Sequence, residues 1–261
     1  MDFKIIHIDE TDSTNGWLRR LIAADEHGRT RRDDFNEVQR DIRVDSCQSD
    51  ANIIVVAEYQ TAGKGCGKNS WESERGKNLT FSMLIHPDTI PANQQFRITE
   101  TVSVALCKTL EYYIDNKVKI KWPNDIYVGD KKICGILIEN RLQGNTIKDS
   151  IIGIGLNVNQ TEFRSDAPNP VSLKQLTGSE TDINEVLCSF LRHFESVSIR
   201  EATSLDYLNR LFRRGKLSVY RDETGDFEAT LLNVKADGRL LLRDTEGHER
   251  TYAFKEVEFI V

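Results

Sequence analysis

The chain is 261 residues long and 39% hydrophobic, which supports one large domain, or a main domain with a small companion, around a buried core and excludes a disulfide-stapled miniprotein. No run approaches the roughly 18 consecutive apolar residues of a membrane span, and Met1-Asp2-Phe3-Lys4 leads into a strand-like run without a signal-peptide block, so a soluble cytoplasmic protein is expected. Thirty-five Lys and Arg against 41 Asp and Glu leave a formal charge of -6, so any affinity for phosphate must come from a local cluster, and general nucleic-acid binding is disfavoured.

Phe3-Lys4-Ile5-Ile6-His7-Ile8 reads as a strand, and Trp17, Leu18, Leu21 and Ile22 recur at helical spacing behind polar Thr11-Asp12-Ser13-Thr14. Residues 25–52 are charged and weakly periodic, as in a solvated insertion. Strands are expected at 53–59 and 79–86, flanking the glycine-rich run 63–68. Residues 91–114 carry Phe96, Val102, Ala105, Leu106, Leu110 and Tyr113 at a helical beat, and 118–122 form a strand stopped by Pro123. A hairpin follows, with 126–128 and 133–139 joined by a turn at Gly129-Asp130, and then a strand at 151–156. Two helices are expected over 183–197 and 205–211. After Gly215, short strands and turns at 223–226, 237–238 and 246–247 read as a barrel-like β module of about fifty residues.

Five cysteines (Cys47, Cys66, Cys107, Cys134 and Cys188) are scattered without a C-x-x-C pair, and the histidines form no H-x-x-x-H pair. Reduced thiols and no protein-held metal are expected. Magnesium carried in by a nucleotide would leave almost no sequence trace.

Four segments carry chemistry. In residues 59–71, Gly63, Gly65 and Gly67 alternate, which frees the backbone to bring N–H groups against an anion, while Lys64 and Lys68 add positive charge. The spacing is neither a Walker loop nor a dinucleotide fingerprint, and by itself it fits a hairpin connection as well as a phosphate site. In Lys119-Ile120-Lys121-Trp122-Pro123-Asn124-Asp125, strand alternation puts Lys119 and Lys121 on one face. A lysine fixed at a strand end can neutralise charge that grows during a reaction; a solvated edge lysine before an Asn-Asp turn explains the same residues. In Ile152-Gly153-Ile154-Gly155-Leu156-Asn157, two alternate glycines give up packing, so either a flat ring approaches one face or a helix packs tightly there. Thr11-Asp12-Ser13-Thr14-Asn15 is a helix cap whose hydroxyls and N–H groups also suit a neutral polar ligand.

Taken in order, Asp12-Ser13-Thr14-Asn15, residues 58–71, 121–125, 132–139 and 153–157 resemble the catalytic domain of biotin protein ligases, also called biotin–[acetyl-CoA-carboxylase] ligases. That family is marked by a D-S-T-N helix start, an E-Y-Q-x-A-G-R-G-R-x-G loop ending in Trp, and a K-W-P-N-D strand end. It also carries K-x-x-G-I-L-x-E and G-x-G-x-N strands. The resemblance covers about residues 1–200, and the β module resembles the family's SH3-like C-terminal domain. It implies an α+β fold: a class II aminoacyl-tRNA synthetase/biotin ligase-like mixed sheet flanked by helices, plus a small C-terminal SH3-like β-barrel. The implied domains are residues 1–213, catalytic, and 214–261, SH3-like.

What the resemblance implies chemically is that biotin and MgATP give biotinyl-5'-AMP and pyrophosphate, after which biotin passes to a lysine of a biotin carboxyl carrier protein of acetyl-CoA carboxylase or a related enzyme. Biotin, ATP and Mg2+ are the implied small molecules. By position, Lys121 is the essential lysine and Lys64 a second catalytic cation. Ser13, Thr14, Asn15, Gln60, Gly63, Lys64, Gly65, Cys66, Lys121 and Gly135 would contact biotin, with Ser13, Thr14 and Gln60 on its ureido ring. Lys64, Lys68, Trp71, Asn124 and Asn157 would contact ATP, Trp71 by stacking on adenine and Asn157 by hydrogen bonding. Apart from the resemblance, the second step needs a neutral lysine amine, and Asp125 is a candidate for orienting it. No nucleic-acid or membrane partner is implied, the assembly would be a monomer or homodimer, and a catalytic strand beginning at Phe3 implies a ligase without a repressor domain.

The loop departs from the family pattern. Lys64 and Cys66 stand where arginines are usual, and Lys68 where glycine is frequent. Lysine lacks the bidentate fork of arginine, so a looser hold on the intermediate is expected. Cys66, set between cations, is a candidate for heightened thiol reactivity. A lipoate or octanoate ligase shares the fold and the lysine but acts on a ligand without a ureido ring. An SH3-type adaptor is the non-enzymatic alternative, and residues 215–261 lack the clustered exposed aromatics that such a module presents to PxxP ligands.

Overall fold

The computed structural model describes residues 3–26, 52–67, 69–87, 89–115, 118–165, 169–197 and 204–260. In chain order its elements are β1 (Phe3–Thr11), α1 (Thr14–Glu26), β2 (Asn52–Gln60), β3 (Leu79–Ile85), α2 (Phe96–Tyr113), β4 (Val118–Lys121), β5 (Asp125–Val128), β6 (Lys131–Gln143) and β7 (Thr146–Leu156). There follow α3 (Leu173–Thr177), α4 (Ile183–Ser196), α5 (Ser204–Arg210), β8 (Leu217–Asp222), β9 (Gly225–Val234), β10 (Leu240–Asp244), β11 (Glu249–Tyr252) and β12 (Glu258–Phe259). The chain divides into two compact units, 1–92 with 133–189 and 93–132 with 190–261. Most of the insertion expected over 25–52 lies outside the described residues; α1 continues to Glu26 and β2 begins at Asn52.

In the first unit the strands run in the order β1-β2-β3-β7-β6. β1 lies parallel to β2 and the other neighbours are antiparallel, so the sheet is mixed. All seven residues of β3 are buried, the pattern of a central strand covered on both faces. On one face α1 inserts Leu18, with Trp17, Leu21 and Ile22 beside it, against Ile6, Ile8, Val55, Ala57, Leu84 and Ile151. The apolar spacing that marked this helix is therefore its core stripe.

β7 begins at Thr146, five residues before the strand read from the sequence. Its first half contains Lys148, Asp149 and Ser150, polar residues that conceal strand character. Asp149 is nonetheless buried, held by His86 Nδ1 at 2.8 Å and by the guanidinium of Arg141. α3, only five residues long, escaped the periodicity reading; a capping box between Ser172 and Gln175 starts it and Gly178, at φ 78°, ends it.

In the second unit α2 packs on α5, β4 and β5. α2 starts at Phe96, later than the helical beat over 91–114, because Pro91 instead forms a bridge with Thr146. The C-terminal residues make an antiparallel sheet in the order β11-β10-β9-β8-β12. This is the expected β module as a sheet; none of the described pairings closes it into a barrel. Trp122 Nε1 donates to Gly238 O at 2.8 Å, tying the end of β4 to the β9–β10 turn. Gly238 is required there twice over: its φ is +88°, and a Cβ would stand 2.6 Å from the Phe96 ring. Among the described residues, no helix is long and apolar enough to cross a membrane.

Candidate active site

Parallel pairing of β1 with β2 sets Thr11 opposite Gln60, so the start of α1 and the end of β2 lie side by side. Thr14 donates to Gln60 Oε1 through its backbone N (2.8 Å) and its hydroxyl (3.1 Å). Ser82 Oγ, wholly buried on β3, lies 2.6 Å from both Thr14 Oγ1 and Asn15 Oδ1. Asn15 Nδ2 in turn donates to Glu139 Oε2 at 2.8 Å. Ser13, Thr14 and Asn15 are all buried, and Ser13 Oγ faces the Gly16 N–H at 3.5 Å, as a helix cap does. Asp12 accepts from Ser13 N and from Arg20, whose hydrogen-bonded guanidinium holds the carboxyl well below the usual carboxylate range. A fixed negative charge at this end of α1 also suits the helix dipole.

The glycine-rich segment folds as a small hairpin. Lys64 bridges Ser70, Trp71 N donates to Gly63 O (2.9 Å) and Gly65 N donates to Asn69 O (2.8 Å). Gly63 is buried so tightly that a Cβ would meet the Trp71 carbonyl oxygen at 2.4 Å. Gly65 therefore donates within the hairpin, Lys64 is exposed, Cys66 is a half-buried thiol, and Lys68 lies outside the described residues.

The two strand glycines are covered by the protein itself. A Cβ on Gly153 would stand 2.3 Å from Asn15 Oδ1, and one on Gly155 would stand 2.3 Å from the Trp71 indole. Both openings left by the sequence are met by the protein itself: α1 packs over Gly153 through Asn15, and a flat ring, the Trp71 indole, lies over Gly155. Gly135 pairs with Gly155 across β6 and β7. Asn157 follows directly; its Nδ2 donates to Val171 O at 3.1 Å, while its buried Oδ1 has no donor among the described residues.

A buried polar network holds Trp71 and Asn157 in register. Asn78 Oδ1 accepts from Val158 N (3.0 Å), Asn78 Nδ2 donates to Gln160 Oε1 (2.5 Å), and Gln160 Oε1 also accepts from Glu74 N (2.9 Å). Glu72 accepts from Arg164 N, Ser165 N and Gln160 Nε2. Burial pushes its carboxyl upward, but these hydrogen bonds together outweigh burial and hold it below the ordinary glutamate value.

In the second unit Lys121 ends β4, paired with Asp125 of β5. Val118 and Ile120 are buried on the opposite face, so Lys119 and Lys121 do share a side, both half-buried. Lys121 Nζ donates to the Tyr127 hydroxyl at 3.2 Å. Burial draws its ammonium below the ordinary lysine value, Asp125 opposes that, and Lys132 and Arg213 reinforce it. Asp125 is already bound to Lys132 Nζ at 2.7 Å. Asn124 lies in the turn between β4 and β5.

Reading the sequence missed Ser82 and the Asn78–Gln160 pair. A signal existed for Ser82: Thr80 and Ser82 alternate within the otherwise apolar β3, the period of one strand face. Ser82→Ala strips a buried hydroxyl from Thr14 and Asn15, with an expected loss of about 1–3 kcal/mol. It would be read as a lower thermal midpoint, and an unchanged midpoint would show that the hydroxyl does not hold the cluster.

Residues 36–157 match the model described as the biotin/lipoate A/B protein ligase family. A bifunctional ligase/repressor BirA of Bacillus spizizenii is 32% identical over 211 residues, 77% of this chain and 64% of that protein. The chain thus spans less than two thirds of that relative's length. The biotin–[acetyl-CoA-carboxylase] ligase of Mycobacterium tuberculosis is 24% identical, with 78% of this chain and 73% of that protein aligned. Among solved structures, the Aquifex aeolicus biotin protein ligase in complex with biotin and ATP superposes with a TM-score of 0.71 at 23% identity, over 98% of this chain and 97% of that one. This likeness establishes the shared α+β fold.

Proposed function

We propose that this chain, whose residues 36–157 match the biotin/lipoate A/B protein ligase family, is an ATP-dependent biotin protein ligase. It would form biotinyl-5'-AMP and then pass biotin to a lysine of a biotin carboxyl carrier protein in the cytoplasm. We assign residues 1–213 to catalysis and 214–261 to the accessory β module.

The observation that carries this reading is the group of neutral hydrogen-bonding side chains formed by buried Thr14, Asn15 and Ser82 with half-buried Gln60. Thr14 holds the amide oxygen of Gln60, so the direction in which Gln60 presents its NH2 is set before a ligand arrives. A ureido ring needs such fixed donors and acceptors, whereas a dithiolane offers nothing to pair with them.

In the first step a carboxylate oxygen of biotin attacks the α-phosphorus of ATP, the bond to the bridging oxygen breaks, and pyrophosphate leaves. Biotin's carboxyl is already ionised at neutral pH, so orientation and charge neutralisation are the requirements and no general base is needed. Lys121 and Lys64 are assigned the neutralisation. Ser13, Thr14, Asn15, Gln60 and Gly135 are assigned the biotin ring, and Gly63, Lys64, Gly65 and Cys66 the carboxylate and α-phosphate. Trp71, Asn157, Asn124 and Lys68 are assigned ATP, with Mg2+ arriving on the nucleotide. The unmatched Asn157 Oδ1 is an acceptor suited to an adenine amino group. In the second step a neutral lysine amine attacks the acyl carbon, AMP departs, and the amine loses a proton. Because Asp125 is bound to Lys132, this proton is not assigned to it.

The decisive measurement is pyrophosphate release by the purified chain with MgATP and either biotin or lipoate, followed by carrier mass. Biotin-dependent release and one biotinyl adduct are expected; lipoate-dependent release would replace the reading. With lysine at 64 and cysteine at 66, Cys66→Arg is expected to slow escape of the intermediate by supplying a bidentate donor. Equal release rates would remove that idea.

A further inference from the structure

We propose that β12 positions Lys121: the ring of Phe259, together with Tyr127, forms an aromatic seat for its ammonium, so that the C-terminal β module takes part in the chemistry. This deepens the ligase reading and rests on it for the role of Lys121, though not for the seat itself.

The geometry begins in the β4–β5 pair. Lys119 lies directly opposite Tyr127 and Lys121 opposite Asp125, which makes Lys121 and Tyr127 diagonal neighbours on one face. Lys121 Nζ sits 5.0 Å from the centroid of the Tyr127 ring and 5.7 Å from that of Phe259. Both lie inside the roughly 6 Å reach over which a ring face attracts a cation. Lys121 Nζ also donates to the Tyr127 hydroxyl.

Phe259 is itself held from several directions. It pairs with Tyr220 of β8, with ring centroids 5.1 Å apart, and it touches Phe212 at 6.5 Å. Phe212 continues the contact to Tyr127 at 5.6 Å. On either side of the backbone, Arg213 Nη1 donates to Ile260 O at 2.7 Å, and Ile260 N donates to Val219 O. The Lys121 ammonium thus meets a continuous aromatic path that begins in β5 and ends in the C-terminal sheet.

Burial disfavours the charge of the ammonium, and charged groups of both signs surround it. Asp125 on β5 and Glu258 on β12 favour its charged form, whereas Lys132 at the start of β6 and Arg213 after α5 oppose it. Beside these charges, the Phe259 ring and the hydroxyl end of the Tyr127 ring keep a cation on a flexible four-carbon stem in one place. A charge already in position needs no reorganisation when negative charge develops beside it.

The test uses the full chain carrying Phe259→Leu, which keeps apolar bulk but removes the ring face, and Phe259→Tyr, which restores it. The first readout is the pH midpoint for acylation of Lys121 by an amine-reactive ester, followed by peptide mass; the second is kcat and KM for biotin-dependent ATP–pyrophosphate exchange. Phe259→Leu is expected to lower the midpoint by up to about one pH unit and kcat by about five- to tenfold, with KM for biotin unchanged. Phe259→Tyr should match the parent.

Tyr127→Phe, which loses only the hydroxyl, should lower the midpoint as well and keeps the test open if Phe259→Leu folds poorly. The proposal is overturned by an unchanged midpoint, by a lower midpoint without loss of kcat, or by equal impairment in the Leu and Tyr variants. A parent chain that lacks biotin-dependent exchange while Phe259→Leu still lowers the midpoint would sink the ligase reading and keep the seat.

Discussion

Lys121→Met is expected to slow adenylate formation by about 10²–10³-fold while leaving thermal stability at neutral pH equal to or above that of the parent. The two effects have opposite signs for one physical reason. Lys121 carries a charge on a half-buried stem, and burial draws its ammonium below the value it has in the unfolded chain. Between those two values the unfolded chain binds more protons than the folded one, so stability rises with pH across that window. Below both values the cost of burying the charge is present in full. Methionine removes this cost and preserves the stem, whereas the reaction loses the one cation fixed at the end of β4. Single-turnover adenylate formation and a melting curve separate the outcomes: an unchanged rate removes Lys121 from catalysis, and a falling midpoint makes it a structural residue.

Alanine substitutions at Gly153 and Gly155 should separate the proposed biotin and ATP contacts of the first unit. A methyl at Gly153 would stand 2.3 Å from Asn15 Oδ1, and Asn15 is bound to Ser82 and Glu139, so the cluster beside Thr14 and Gln60 must move. A methyl at Gly155 would stand 2.3 Å from the Trp71 indole. Trp71 cannot retreat freely, because its backbone N is bonded to Gly63 O and Glu72, which follows it, is held by Arg164 and Ser165. Overpacking of this kind costs about 1–3 kcal/mol, which corresponds to about 5- to 150-fold in a binding constant. Gly153→Ala is therefore expected to raise KM for biotin with little change for ATP, and Gly155→Ala the reverse. Equal effects of both variants on both substrates would show that the glycines serve general strand packing.

Much of this was legible along the chain because it depends on local period. The stripe Trp17, Leu18, Leu21 and Ile22 marked α1 and its buried face, and the run at β2 marked a strand. The module after Gly215 showed itself through turn residues, although its pairings as described make a sheet and not a closed barrel. The polar first half of β7 and the single turn of α3 were illegible. In β7 the buried Asp149 is held by Arg141 of β6 and by His86 just past β3, and a helix of five residues has no period to display.

Five motifs in order were enough to name the family and to nominate the residues that would carry its chemistry, since residue type and spacing set what each can donate, accept or neutralise. What those residues meet was decided only by the tertiary fold. Thr14 finds Gln60 across 46 positions and Asn15 finds Glu139 across 124. The strand glycines proved to be seats for Asn15 and Trp71, and Lys121 proved to rest against Phe259 from the far end of the chain. A hydrophobic or glycine pattern records that a face is covered, because burial acts on each residue separately. Which atom covers it is a property of pairs, and strand register sets those pairs.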